Sequence, residues 1–186
     1  AEILLCDYRT SRRLAHIRPI PLAGGDAASR EPWRVLLAHL DAALGPEALP
    51  ADLVEGFPVA TLRAMIARGI NAPLASSAGR LFDAMAALLG LAPPRLGFEG
   101  EAAMALQTAA EAAPDGQPPY SFAVEKAGDL LVIDPAPMWR AACADRAAGL
   151  APALVARRFH EGVGDVFAGL ALSLAARHGT STVALS

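Results

Sequence analysis

The chain has 186 residues, 54% of them hydrophobic on a broad count and 19% charged, a balance that allows a sizeable core and rules out a disordered or fibrous polymer. A net charge of −3, with basic residues scattered apart from Arg12–Arg13 and Arg157–Arg158, gives no electrostatic reason to expect nucleic acid. With only Cys6 and Cys143, no CxxC pair, no signal peptide and no apolar run of about 18 residues, the chain is expected in a reducing cytoplasm, outside any membrane.

Residues 2–8 (EILLCDY) and 14–22 (LAHIRPIPL) read as two strands around the polar connection RTSRR. His16 and Arg18 alternate with Ile17 and Ile20, while Pro19 and Pro21 keep the second strand at an edge or end it. Gly24-Gly25-Asp26 breaks the chain. A helix over 30–44 follows, with Ser29 as N-cap and Pro32 in its first turn, and with Trp33, Leu36, Leu37, Leu40 and Leu44 on one face. A Pro/Gly-rich link (45–58) leads to a shorter helix over 58–68, closed by Gly69. The next helix lies within 71–91, capped by Ser76 or Ser77 and ended by Gly90. Beyond a Pro-Pro linker, EAAMALQTAAEAA gives a helix with Glu101 in its first turn, where the macrodipole favours an anion. SFAVEKAGDLLVID reads as a hairpin turning at KAGD, 137–148 as a short helix and 151–178 as a long one stopped by Gly179, and STVALS as a buried strand. The sum is a helix-rich α/β or α+β chain, divided into a strand hairpin (1–25), a helical lobe (26–119) and a hairpin, long helix and strand (120–186).

One helix carries an anomaly. Leu81, Met85 and Leu88 share a face, with Phe82 and Leu89 beside it, and Asp83 points elsewhere. Ser76, Gly79, Asp83 and Ala87 then form a narrow stripe of small side chains around one acid. Such a stripe would let a flat ligand approach the helix backbone while the acid accepts hydrogen bonds from vicinal hydroxyls, as carboxylates do with ribose. The plainer alternative is an Asp that is solvated or paired with Arg80. The four histidines, His16, His39, His160 and His178, contain no i, i+4 pair and make no ligand set, and no catalytic residue is assigned. Gly24-Gly25 with Asp26, Arg30 and Glu31 reads first as a structural turn and second as a partner or substrate contact.

Four segments, RPIPLAGGDAASREPWR, SSAGRLFDAMAALLGL, FEGEAAMALQ and ARRFHEGVGDVFAGLA, occur here in an order that resembles the hydrogenase-maturation carbamoyltransferases, the HypF family. The resemblance covers nearly the whole chain. It implies a fragment of a C-terminal region similar to the tRNA threonylcarbamoyladenosine transferases, part of a two-lobed actin/sugar-kinase-like (ASKHA) fold. It also implies conversion of carbamoyl phosphate and ATP to carbamoyl-adenylate. The carbamoyl group then passes to the C-terminal cysteine of a HypE-like partner, for the cyanide ligand of [NiFe] hydrogenase. By match to the tRNA-modifying relatives, Asp83 in AGRLFDA and Gly100 in GFEGE are nucleotide contacts, and Gly79 is the helix glycine. Glu101 stands where those relatives have proline. The family's metal ion, zinc or iron, has its ligands outside this chain, so the fragment alone is expected to be inactive. Two other readings remain at this point: a non-catalytic helical interaction module, and another ASKHA-type O-carbamoyltransferase.

Overall fold

The computed structural model describes residues 1–48 and 50–185. Alternating side chains make β1 (Glu2–Cys6) and β2 (Ser11–Ile17) an antiparallel hairpin. Its turn is set by Asp7, whose carboxylate accepts from the backbone N–H groups of Arg9 and Thr10, both at 2.7 Å. Arg18-Pro19 interrupts the second run, and a two-residue strand β3 (Ile20–Pro21) follows. The helix expected over 30–44 is α2 (Pro32–Leu44), with Glu31 rather than Ser29 at its N-cap, and a short helix α1 (Asp26–Arg30), which contains Ser29, precedes it. Glu31 separates them at φ −122°, ψ 85°, because a residue that precedes proline is driven out of the α region. The 45–58 link contains two short 3-10 turns, Pro46–Ala48 and Ala51–Leu53, and leads into α3 (Val59–Arg68). β4 (Leu74–Ala75) pairs with β3, a contact the sequence reading lacks. After α4 (Ala78–Leu88) and α5 (Glu101–Glu111) come the hairpin strands β5 (Ala123–Ala127) and β6 (Leu130–Asp134), then α6 (Ala136–Ala147) and the 27-residue α7 (Pro152–His178).

β6 joins β2 in parallel, so the two hairpins merge into one mixed sheet of order β1-β2-β6-β5. The main core lies between this sheet and the helices, with Ile133, Trp139, Phe159, Met85, Leu88 and Leu106 fully buried. Trp33 instead stacks on Phe57, ring centroids 4.2 Å apart, over Leu37 and Leu62 in a satellite cluster. Leu174, near the end of α7, closes over Leu14 and Ala15 of β2. The buried strand expected at 181–186 is overturned for the described residues: 180–185 take no strand pairing, and Leu185 is 97% exposed. An apolar sequence needs a partner to become a strand, and the described residues supply none there.

Two buried features have measurable consequences. The first is His39, enclosed on α2 against Trp139 at 5.1 Å between rings; burial pushes its pKa down to about 3. The unfolded chain takes up that proton near pH 6.5, while the folded chain resists it until about pH 3. The stability from neutral His39 is therefore whole above about 6.5 and is lost as pH falls toward 3, by up to about 1.4 kcal/mol per pH unit. In urea unfolding at a series of pH values, His39→Leu is expected to flatten the decline below pH 6.5 relative to the parent chain. The second is Gly162, where α7 crosses the strand approach at Tyr120. A Cβ there would lie 2.2 Å from the Tyr120 carbonyl oxygen, whereas nothing lies within 4 Å of one at Gly164. Gly162→Ala is expected to destabilise by about 1–3 kcal/mol, and Gly164→Ala to stabilise by roughly 0.5–1 kcal/mol through helix propensity. Opposite shifts of the urea midpoint would show it.

Candidate functional site

α4 begins at Ser77, whose extended backbone and side-chain hydroxyl, accepting from the Arg80 N–H at 3.4 Å, make the N-cap. Ser76 lies outside the helix, half-buried, with its carbonyl accepting from the Ala1 ammonium. After α4, Gly90 takes a left-handed φ of 68° and the chain runs back past α1, where the Leu96 N–H donates to the Arg30 carbonyl at 2.7 Å. The GFEGE turn is closed on itself. The Gly97 N–H donates to the Glu101 carboxylate at 2.6 Å, and Gly100, at φ 85°, starts α5. A left-handed residue at this point suits glycine above all, with Asn or Asp the occasional alternatives. The first helical backbone acceptor in α5 is Gly100 O, taken by the Met104 N–H, and helix geometry leaves the N–H groups before it without intrahelical partners.

Of the readings open for Asp83, the structure shows the pairing with Arg80 and corrects the expectation of an acid in an open stripe. Its side chain is 3% exposed, because α4 is enclosed by α2 on one side and α5 on another. Ala84 and Ala86, like Asp83 itself, face protein. Arg80 Nη1 lies 3.0 Å from Asp83 Oδ2 and donates to the Ser29 carbonyl at 2.7 Å. The contact with Asp83 is an ion pair without hydrogen-bond geometry, which leaves that oxygen short of a donor. Burial raises the carboxyl's pKa, Arg80 works against the rise, and the nearby Glu99 charge adds to it. Asp83 thus orients Arg80, and Arg80 ties α4 to the end of α1. Gly79 is exposed on the surface of α4, with only Ser77 Oγ near its Cβ position. Of the four residues read from sequence as ligand contacts, Gly100 alone lines a cleft; Asp83, Gly79 and Ser76 do not.

The REPWR signature forms local ion pairs in this chain. Glu31 pairs with Arg34 at 2.6 Å and with Arg95 at 3.2 Å, Arg30 pairs with Asp26 at 3.3 Å, and Arg34 lies over the Trp33 ring. Arg34 Nη1 also occupies the space beside Gly24, and the Asn71 amide fills that beside Gly25, so the glycine pair is a packed turn rather than an open anion nest.

The cleft itself is a groove of about 510 Å³ between α5 and α7. Phe82, Ala103 and Ala110 give it an apolar floor, Met104 lies exposed at its lip, and Gly100 stands at one end. Gln107, Glu111, Arg157, His160 and Glu161 supply its polar atoms. Phe82 leaves α4 to meet Phe159 and His160 edge-on, at 4.9 and 5.3 Å between ring centroids. Its size falls in the range of small-molecule sites. Sequence reasoning missed it because α7, far along the chain, must pack back on α5 to form it. The one available signal was the i, i+3, i+4 recurrence of 100, 103, 104, 107, 110 and 111 on α5, matched by 157, 160 and 161 on α7. The metal ion implied by the resemblance does not fit this chain's residues: among the described residues no group of three His, Cys, Asp or Glu side chains could hold one.

Comparison with known proteins places these features in context. A family model described as carbamoyltransferase, Kae1-like domain, second subdomain, matches residues 1–186. The chain is 44% identical to carbamoyltransferase HypF of Rhodobacter capsulatus over 185 residues, which is all of the chain and 23% of that protein. It is 37% identical to a HypF homolog of Cupriavidus necator over 93% of the chain and 45% of that protein. A crystal structure of full-length HypF in a phosphate- and nucleotide-bound form superposes with a TM-score of 0.87 at 30% identity, covering 97% of the chain and 23% of that structure. HypF of T. kodakarensis superposes with a TM-score of 0.83 at 31% identity, covering 100% of the chain and 25% of that structure. The chain thus spans about a quarter of the length of those full-length proteins.

The buried ion pair yields a test of its own. Arg80→Met strands a carboxylate in the core and is expected to cost about 3 kcal/mol or more. Asp83→Asn, which keeps the shape and removes the charge, should cost much less. The double variant should recover part of the Arg80→Met loss in urea unfolding, and additivity within about 0.5 kcal/mol would show that the two are uncoupled.

Proposed function

The chain belongs to the HypF carbamoyltransferase family, as the second subdomain of its Kae1-like (ASKHA) domain, and from that we propose that it forms one wall of an adenine-nucleotide site used in carbamoyl transfer. The observation that carries this is the Gly100 turn. It combines a left-handed glycine, the free N–H groups of a helix start and the open end of a cleft sized for a small molecule. Anions are favoured at such a helix start. The likeness to a HypF solved with phosphate and nucleotide supports the same ligand class.

In this reading water releases phosphate from carbamoyl phosphate, the carbamate oxygen attacks the α-phosphorus of ATP, and pyrophosphate leaves as carbamoyl-adenylate forms. A thiolate at the C-terminus of a HypE-like partner then attacks the carbonyl carbon, the C–O bond to the adenylate phosphate breaks, and AMP leaves. The chain's own contribution is to bind and orient the nucleotide. Gly100 gives close backbone approach, and the Glu101–Gly97 contact holds the turn in shape. Asp83 acts at one remove, through Arg80 and the α1 joint, and not as a ribose ligand.

The test uses a full-length HypF that carries this chain. Gly100→Val places a β-branched side chain at φ 85° and fills the approach to the α5 start. Calorimetric titration with ATP is expected to show affinity lowered by tenfold or more, with carbamoyl-dependent pyrophosphate release reduced in step. Unchanged ATP affinity in a folded variant would remove the Gly100 turn from the site.

A further inference from the structure

Away from the α5–α7 cleft, a small cavity gathers buried polar atoms that no protein group satisfies. It measures about 20 Å³ and lies where the end of β6 meets α2 and α6, lined by Arg18, His39, Asp134 and Trp139 together with Ala42 and Ala43. Trp139 is fully buried, and its Nε1–H has no acceptor among the described residues. His39 is 3% exposed, with its ring centre 5.1 Å from that of Trp139. Burial alone lowers its pKa, with no hydrogen bond or charge contributing, so the ring is neutral and offers one N–H and one lone pair. Arg18 Nε lies 3.1 Å from Asp134 Oδ2 as an ion pair without hydrogen-bond geometry, so this buried N–H also lacks an acceptor. Asp134 Oδ1 accepts from the Ala136 N–H at 2.9 Å, which leaves the other carboxylate oxygen with lone pairs to spare.

We propose that this cavity is a binding site for one structural water molecule, which accepts from the Trp139 Nε1–H and donates to the lone pair of the His39 ring. Its second lone pair faces the Arg18 Nε–H, and its second hydrogen faces Asp134 Oδ2. The count closes, because two donors and two acceptors line the space and water carries two of each. Ions fit it worse. A cation would meet two N–H groups beside a guanidinium, and an anion would meet the Asp134 carboxylate. The space suffices, since one water needs about 10–15 Å³. Exposed Ala42 and half-buried Arg18 put the cavity near the surface, so the molecule can enter from solvent. A dry cavity would leave buried N–H groups unpaired, which folded proteins rarely tolerate. The bridge ties α2 to α6 and, through Asp134, both helices to the end of β6.

A crystal structure of a full-length HypF carrying this chain, at a resolution that places ordered waters, tests the site. One peak is expected about 2.7–3.2 Å from both Trp139 Nε1 and a His39 ring nitrogen. Absence of that peak overturns the proposal, as does a turned ring whose nitrogen reaches a protein group instead. A substitution cycle on the same protein gives a second readout. Ala43→Val adds bulk to the cavity and expels the water, while His39→Leu removes the acceptor opposite Trp139. With the water bound, Ala43→Val should lower the thermal midpoint in the parent, and by less than half as much in the His39→Leu background, where the bridge is already broken. Equal shifts in the two backgrounds overturn the proposal, because helix propensity acts alike in both. A rise in the parent also overturns it, since filling a dry void stabilises.

Discussion

The enclosure of α4 is the constraint on which the rest of the arrangement depends. Its alanines let α2 and α5 approach closely, and Leu81, Met85 and Leu88 fill the space between them. Fully burying each such large side chain stabilises by about 1.5–3 kcal/mol. That drive toward contact on several sides takes Asp83 inside too. Desolvating the Arg80–Asp83 pair opposes folding, so the pair does not explain the enclosure; it makes the enclosure tolerable and gives it direction. Arg80 then reaches the Ser29 carbonyl, which fixes α4 against the α1–α2 joint. Phe82, one position before the acid, emerges toward α7 and sets the distance at which Phe159 and His160 pack. With α5 on one side of α4 and α7 met through Phe82, the cleft between α5 and α7 follows.

Much of the element order was legible because local chemistry dictates it. The β5–β6 hairpin shows in its alternation, and α2 shows in the spacing of Trp33, Leu36, Leu37 and Leu40. The break at Glu31 was legible in principle from Pro32. The parallel pairing of β2 with β6 was not, since it joins segments more than a hundred residues apart and no local pattern names the partner. Asp83 went wrong for a similar reason. Leu81, Met85 and Leu88 mark one apolar face, but alanine is compatible with burial and with exposure, so the periodicity could not reveal that the other faces were covered as well. The resemblance identified the family and the turn at Gly100, and it transferred a ligand role to an acid that this chain encloses. The strand read into 181–186 shows the limit from the other side, since among its described residues Val183 and Leu185 are apolar and exposed.

The axis of α5 gives the cleft a direction. Its start carries partial positive charge from unpaired N–H groups, and its last turn carries Glu111. Within the cleft, Arg157 pairs with Asp115 and Glu161, which offsets its charge there. A ligand with one anionic end and one neutral aromatic end therefore has a single favourable orientation. In the proposed nucleotide site the phosphate or acyl-phosphate end would lie at Gly100 and the ring farther along, over Phe82. The reverse placement would put a phosphate beside Glu111 and Glu161 and leave the ring against bare N–H groups. At about 4 Å a single such like-charge contact costs on the order of 1–4 kcal/mol, depending on how well water screens it. In the proposed site, orientation thus arises from charges fixed by folding alone.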